Sequence, residues 1–475
     1  MGRKRQFKDN SRLQMKYQYD RGTRKTRRNA STIGWSFEPK RSKVIAEDMK
    51  LDRKKSNEMN NDYIKFQKEH GLRRKPRINK SAPVDPFKGK SKHKRNQMLR
   101  SKWQAMYQKK RRNTVAKLLA GKSLFDETSL PKDSAEFWRN IYKEPKGTEI
   151  DPSEHLASLE FIPKEEYEWM NKPIDKIDVK EQIKATANGT TPGIDGLNKE
   201  GIDNMEVKTL VQWYNRFLNE GIMPKPLKRF NMVLIPKKEK AIHPKDFRPL
   251  SISSIIRRVF SDILNGRIAE IKTDDAQRGF KPGIEGCVIN LRILAEIVKK
   301  ATKELRDMSI AWIDLRKAFD SFNHLKLIEV LNSSGIPRKI TRMITNMYRG
   351  NTSYLKTGER IPIEKGVLQG DPMSPTLFNL VLNEALRNFT GGVQYGQRNL
   401  PYLAFADDLV ILANDPKELQ EQLNHLNRRL TTFGLEINPD KCKCAHIQVN
   451  RKIKTYCVAV KPRIVINNNN TELKF

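Results

Sequence analysis

Cysteine is scarce: four residues, Cys287, Cys442, Cys444 and Cys457, in a chain of 475. So few cannot form a disulfide framework for a chain this long, and the scarcity fits a reducing compartment. Long apolar runs are missing too. None reaches the roughly 18 residues a helix needs to span a bilayer, so no membrane partner is expected. The first residues are polar and basic, which is not the pattern of a secretory leader. A soluble intracellular protein is the expectation. The third shortage is of acid: 55 Asp and Glu stand against 92 Lys and Arg, a net charge of +37.

That excess asks for a polyanion, nucleic acid before a membrane surface. About 27 of the excess positive charges fall in the first 120 residues, the asymmetry of a basic arm beside a folded domain. Residues 1–91 carry the clusters Arg24-Lys25-Thr26-Arg27-Arg28 and Arg73-Arg74-Lys75-Pro76-Arg77 with faint apolar periodicity. They read as a mostly disordered arm that binds RNA or DNA and serves nuclear import, or as a plain solvated tail. From 92 to 171, Trp103, Met106, Tyr107, Val115, Leu118 and Leu119, then Phe137, Trp138 and Ile141, recur at near-helical spacing. They predict two or three amphipathic helices and a linker.

Two later stretches carry the chemistry. Residues 402–413 read Tyr-Leu-Ala-Phe-Ala-Asp-Asp-Leu-Val-Ile-Leu-Ala, two strand-like apolar runs around a bare acid pair, Asp407 and Asp408. Adjacent carboxylates repel and resist desolvation. Either the pair is an exposed hairpin turn, or a hard divalent cation compensates it. Residues 308–320 repeat the theme: Met-Ser-Ile-Ala-Trp-Ile runs into Asp314 and on to Phe319 and Asp320. Two strands delivering carboxylates to one point would make a two-cation clamp for in-line phosphoryl transfer.

At these residues the sequence resembles a reverse transcriptase. Asp314-x4-Phe319-Asp320 looks like polymerase motif A, and Phe405-Ala406-Asp407-Asp408 looks like motif C, with Phe where Tyr is commoner. Gly366-Val367-Leu368-Gln369-Gly370-Asp371-Pro372-x-Ser374-Pro375 looks like motif B. The resemblance runs from about 92 to 450 and is strongest to site-specific non-LTR (LINE-type) elements with a restriction-like endonuclease. Group II intron enzymes come second. Arg111 to Gly121 and Phe137-Trp138-x-x-Ile141-Tyr142 look like the segment before the fingers in those elements.

The resemblance implies an α+β right-hand polymerase: fingers over 172–300, palm over 301–450, a reverse transcriptase domain over about 225–450, and 451–475 as a truncated tail without room for a thumb. It implies two Mg²⁺ ions, with Mn²⁺ as a substitute, held by Asp314 and Asp407 with Asp408 assisting. Lys441, in a stretch like motif D, would act as general acid toward pyrophosphate. Lys237 and Arg248 would contact the triphosphate, since an Arg offers bidentate geometry to phosphate oxygens. Phe319 would exclude a ribose 2′-hydroxyl, Leu315, Gln369, Gly370 and Ala406 would line the nucleotide site, and Asp320 would be structural. Gly193 and Asp195, in a Pro-Gly-x-Asp-Gly loop, and Arg278 and Gly279 would lie along the template. The implied partners are an RNA template, a DNA primer or target and dNTPs, in target-primed synthesis within the nucleus.

Three other readings compete. An RNA-dependent RNA polymerase would lack the aromatic at 319. A splicing maturase would continue into a basic helical domain. A decayed mobile-element remnant would only bind nucleic acid. Local patterns add detail: a helix opening at Ser251, two helices split by Gly335-Ile336-Pro337, a hairpin near 354–363, and a helix from Ser374 to about Phe389. Asp415 and Pro416 should start a helix whose leucines are core. Cys442, Cys444 and His446 alternate on a strand and read as packed side chains rather than a zinc site.

Overall fold

The computed structural model describes residues 39–73, 133–144, 151–161, 164–238 and 241–450, with short pieces beyond them. The chain divides into Met1–Glu47 and Asp48–Phe475. Apart from the start of the first helix, all that follows belongs to the second unit. The cluster from Arg24 to Arg28, the apolar positions from Trp103 to Leu119 and the stretch Arg111 to Gly121 lie outside the described residues.

One departure from expectation comes at once. Pro39–Glu69, inside the stretch expected to be disordered, forms a single helix. Met59, Tyr63 and Phe66 follow at steps of four and three, so they share a face, and all three are buried. Tyr63 and Phe66 meet the edge of Trp213, ring centroids 5.4 and 5.6 Å apart, on the helix Val207–Glu220. Three apolar residues amid dense charge make a faint stripe, which is why this stretch reads as a polar arm.

The strands in chain order are β1 (Arg229–Pro236), β2 (Phe247–Ile252), β3 (Met308–Ile313), β4 (Asn351–Tyr354), β5 (Arg360–Ile363), β6 (Val393–Tyr395), β7 (Arg398–Leu400), β8 (Tyr402–Phe405), β9 (Asp408–Ala413), β10 (Lys443–Asn450), β11 (Thr455–Val458), β12 (Val465–Ile466) and β13 (Thr471–Glu472). One sheet runs β2-β1-β4-β5 and a second runs β11-β10-β3-β9-β8. The second is antiparallel throughout; in the first, β1 and β4 pair in parallel. With the surrounding helices this is a mixed α+β fold. Among the described residues no helix is long and apolar enough to cross a membrane.

Burial explains the arrangement. The helix Pro416–Thr432 begins at Asp415, whose side chain accepts from the Glu418 main-chain nitrogen at 2.9 Å, and ends before Gly434, which has φ +77. Its Leu419, Leu423, Leu426 and Leu430 are buried as one stripe, and the helix packs on β3 and β9. The expected pair of helices forms as His324–Ser333 and Arg338–Tyr348, and β4 and β5 make the expected hairpin.

Two boundaries move. Ser251 and Ile252 still belong to β2, paired with Met232 and Asn231. The next helix, Ile255–Ile268, is capped by Ser254, which accepts from the Ile256 nitrogen at 3.1 Å. Strand pairing wins there because β1 supplies partners for main-chain groups that a helix start would leave open. The helix from Ser374 stops at Ala385 rather than near Phe389.

Candidate active site

β8 and β9 pair up to Phe405 opposite Asp408, which leaves Ala406 and Asp407 as a two-residue turn. Ala406 has φ +55, a left-handed conformation that usually falls to glycine in such turns. Gln277 holds it there. Its Nε2 donates to the Ala406 carbonyl at 3.1 Å, and its Oε1 accepts from the main-chain nitrogens of Ala406 and Gly279, both at 2.9 Å. A Cβ on Gly279 would stand 2.2 Å from the Ala406 nitrogen, so only glycine permits this approach. The segment is laced to β8, with Arg278 N donating to Ala404 O and Ala404 N to Ala276 O, each at 2.9 Å.

Asp314 follows directly on β3, the central strand between β9 and β10. Ile313 lies opposite Leu409, so Asp314 leaves the sheet beside Asp408 and the turn. A crossing segment fixes it: Asn438 donates from its main-chain nitrogen to Asp314 O at 2.8 Å and from Nδ2 to Oδ2 at 2.9 Å. Lys441 Nζ lies 3.4 Å from the same Oδ2. Burial, and then the charges of Asp408 and Asp314, push the Asp407 carboxyl above its ordinary range, against the pull of Arg248. Three crowded acids with oxygen-only donors fit a hard divalent cation. Among the described residues no three His, Cys, Asp or Glu side chains form a ready metal cage. An ion here would therefore be shared between carboxylates and the oxygens of phosphate or water, the usual environment of Mg²⁺.

Cations gather next to the acids. Lys237, just past β1, is tied by its main-chain nitrogen to Asp246 O at 2.8 Å. Burial, then Lys441 and Arg248, depress its ammonium below the usual lysine range. Mutual repulsion among three cations is relieved by an anion of several charges, and a triphosphate is such an anion.

The wall between these groups comes from the loop before Ser374. Phe319 stacks on Phe378 with centroids 4.7 Å apart, and half-exposed Phe280 meets Phe319 edge-on at 6.2 Å. Gly366 has φ +70, and a Cβ there would lie 2.5 Å from the Phe319 carbonyl oxygen. Gln369 Nε2 donates to both carboxylate oxygens of Asp320 at 3.0 Å, which makes Asp320 a buried structural acid. Gly370 has φ +103 and faces Leu250 of β2. Asp371 points inward, accepting from Ser261 Oγ at 2.5 Å and facing the buried guanidinium of Arg257 at 3.5 Å. Leu315 is buried, its main chain bridged to Ile437.

The residues expected along a template lie in two other loops. The Asp195 carboxylate is buried, accepting from the Leu197 nitrogen at 3.3 Å, and a Cβ on Gly193 would collide with the main chain of Ser253 and Ser254. These two dock their loop onto the start of the helix Ile255–Ile268 and are not gathered with the acids. Arg278 turns to Asn290 Oδ1 at 3.0 Å, and Gly279 lies under the Ala406 turn. Cys442 and Cys444 are buried, and His446 Nδ1 is 2.9 Å from Ser309 Oγ. Gln277, Asn438 and Tyr142, which Asp320 engages, are not singled out by the sequence. Asn438-Pro439 reads as a turn and Gln277 as loop, and nothing local marks either as a clamp.

The reverse transcriptase (RNA-dependent DNA polymerase) family pattern matches residues 235–474. The chain is 31% identical over 342 residues to the retrovirus-related Pol polyprotein of the type-2 retrotransposable element R2DM of Drosophila melanogaster, covering 69% of this chain and 31% of that protein. Similar matches join it to the Pol polyproteins of type-1 retrotransposable elements R2 from Nasonia vitripennis (33% identical, 64% of this chain, 30% of the relative) and Bradysia coprophila (29%, 80% and 44%). The chain thus spans less than half the length of each of these three relatives. Enzymes of the matched family generally use divalent metal ions. The acids of β3 and β9 therefore stand in a chain that belongs to the reverse transcriptase family, on the non-LTR branch that the R2 elements represent.

Proposed function

We propose that this chain is an RNA-directed DNA polymerase that extends a primer 3′-hydroxyl with dNTPs on an RNA template. The observation that carries the reading is the meeting of Asp314, Asp407 and Asp408 with Lys237, Arg248 and Lys441. Acids beside cations suit a substrate that brings a metal-bound triphosphate. In this reading the five-stranded sheet is the palm and β1 and β2 belong to the fingers. Asp314 and Asp407 would hold the divalent ions, Mg²⁺ by preference with Mn²⁺ as a substitute, and Asp408 would assist. When bound, those ions supply charge stabilisation for in-line phosphoryl transfer.

The chain's own groups do the rest. Asn438 orients the Asp314 carboxylate, Gln277 fixes the turn that presents Asp407, and Lys237 and Arg248 receive phosphate oxygens. Phe319, braced by Phe378, fills the space a 2′-hydroxyl would need. Lys441, beside Asp314, would give a proton to departing pyrophosphate. Net charge of +37 supports binding of template and primer, and the setting proposed for the reaction is target-primed synthesis in the nucleus.

The test is extension of a DNA primer on an RNA template with Mg²⁺, alongside a salt titration of RNA binding. Wild type should extend, and Asp314→Asn and Asp407→Asn should abolish extension while binding RNA normally. A wild type that binds RNA but never extends would leave the nucleic-acid-binding remnant as the answer.

A further inference from the structure

The helix Ser134–Tyr142 comes from the segment ahead of the polymerase motifs, yet it ends against them. Tyr142 is buried, and its hydroxyl donates to Asp320 Oδ1 at 2.8 Å. The other side of that carboxylate is filled by Gln369, whose Nε2 lies 3.0 Å from each oxygen. The helix is secured independently of Tyr142's hydroxyl. Arg139 Nε donates to Arg360 O at 3.0 Å, and the Glu364 nitrogen donates to Tyr142 O at 3.1 Å. Lys317, one turn before Asp320, places its ammonium over the rings of Phe137 and Trp138, 4.0 and 4.3 Å from their centroids.

An ionised carboxylate only accepts hydrogen bonds, so it dictates which end of a neighbouring amide faces it. With Asp320 ionised, the Gln369 NH₂ must point inward and its carbonyl oxygen outward. A protonated Asp320 would accept either orientation. Burial favours the protonated acid and pushes the Asp320 carboxyl up to about 6, and Tyr142 acts against this by donating to the ionised form. Gln369 acts with it, and the nearby charges that favour ionisation are Lys317 and Lys237.

We propose that Tyr142 is a positioning residue of the polymerase site: through Asp320 it sets the orientation of the Gln369 amide, and so the affinity of the wall for the incoming nucleotide. The inference rests on the polymerase reading above, in which Gln369 lines the nucleotide site. It makes the segment ahead of the motifs part of the active site rather than an appendage. The role is one of binding, not of chemistry, because neither Tyr142 nor Asp320 is placed against the carboxylates that act on phosphate.

A double-mutant cycle on the full chain tests it, with steady-state extension of a DNA primer on an RNA template. Tyr142→Phe removes one hydroxyl from a packed ring, so the fold should survive. It should raise KM for dNTP about ten-fold, the effect of losing one hydrogen bond to a buried charge, with kcat and RNA affinity unchanged. In a Gln369→Ala background the same change should alter KM by less than about two-fold, because the residue it acts through is gone. Equal effects in both backgrounds, or an unchanged KM in the single variant, would overturn the proposal. A fall in kcat and thermal midpoint with KM unmoved would assign Tyr142 to structure alone and overturn it too. A wild-type chain that does not extend primers defeats the polymerase reading itself, a result distinct from any of these.

Discussion

Gln277 grips Ala406 from both sides of its peptide unit, giving its NH₂ to the carbonyl and taking the amide hydrogen on its oxygen. The grip is dry, with Gln277 only 1% exposed, and it sits on the residue that carries positive φ next to Asp407. A turn of that shape is strained for alanine, by about 1–3 kcal/mol in general. The clamp therefore sets the position of a carboxylate it never touches.

Gln277→Leu keeps the size of the side chain and leaves the Ala406 N–H buried without a partner. Unfolding in urea should show a loss of about 1–3 kcal/mol. Single-turnover extension should slow by more than the folded fraction explains. Full catalytic rate in a destabilised protein would mean the turn keeps its shape unaided.

Asn438 makes a separate prediction about the metal. Removing a donor that orients a metal-binding carboxylate typically weakens the metal about 10–100-fold. Asn438→Ala should raise the Mg²⁺ concentration for half-maximal extension by roughly that factor, and more than it changes KM for dNTP. An unaltered Mg²⁺ dependence would show that the Asp314 carboxylate is oriented without the Asn438 side chain.

Asp320 predicts a signature in stability. Burial pushes its folded carboxyl up to about 6, against 3.8 for the free side chain. Between about pH 4 and 6 the folded protein keeps a proton that the unfolded chain has released. Stability therefore falls as pH rises through that window, and by pH 7 Asp320 costs up to about 3 kcal/mol. Asp320→Asn should lose this dependence, so the variant gains on wild type by up to that amount between pH 4 and pH 7. Parallel pH curves for the two proteins would contradict a raised carboxyl.

Phe319 bears on sugar choice. It is pinned against Phe378 and cannot swing aside cheaply. Phe319→Val should raise the relative use of ribonucleotides about ten-fold or more, measured as the ratio of kcat/KM values. A constant ratio would move the discrimination elsewhere in the wall.

Much of this was legible in the order of residues. The strands around Asp407 and the one ending at Ile313 are short apolar runs that meet an acid, and the leucines from 419 to 430 repeat with a helical period. Such signals are local, and local patterns survive in a string of letters. What stayed hidden depends on distant partners. Tyr142 looks like any aromatic of an amphipathic helix until Asp320 stands beside it. Asp195 and Gly193 sit in a turn-forming stretch, and only the packing against Ser253 and Ser254 shows which way that loop faces. The helix at Pro39–Glu69 was obscured for the opposite reason, since its charges outnumber the three side chains that bury it.

The central place of β3 has a consequence for synthesis. Both strands that flank it, and the Asn438 that steadies its acid, are encoded downstream of it. A nascent chain still threaded in the ribosome at Asp314 has no neighbour on either edge of that strand, and its carboxylate has nothing to lean on. The cluster of Asp314, Asp407 and Asp408 therefore comes together late and all at once, when the stretch through β10 has emerged.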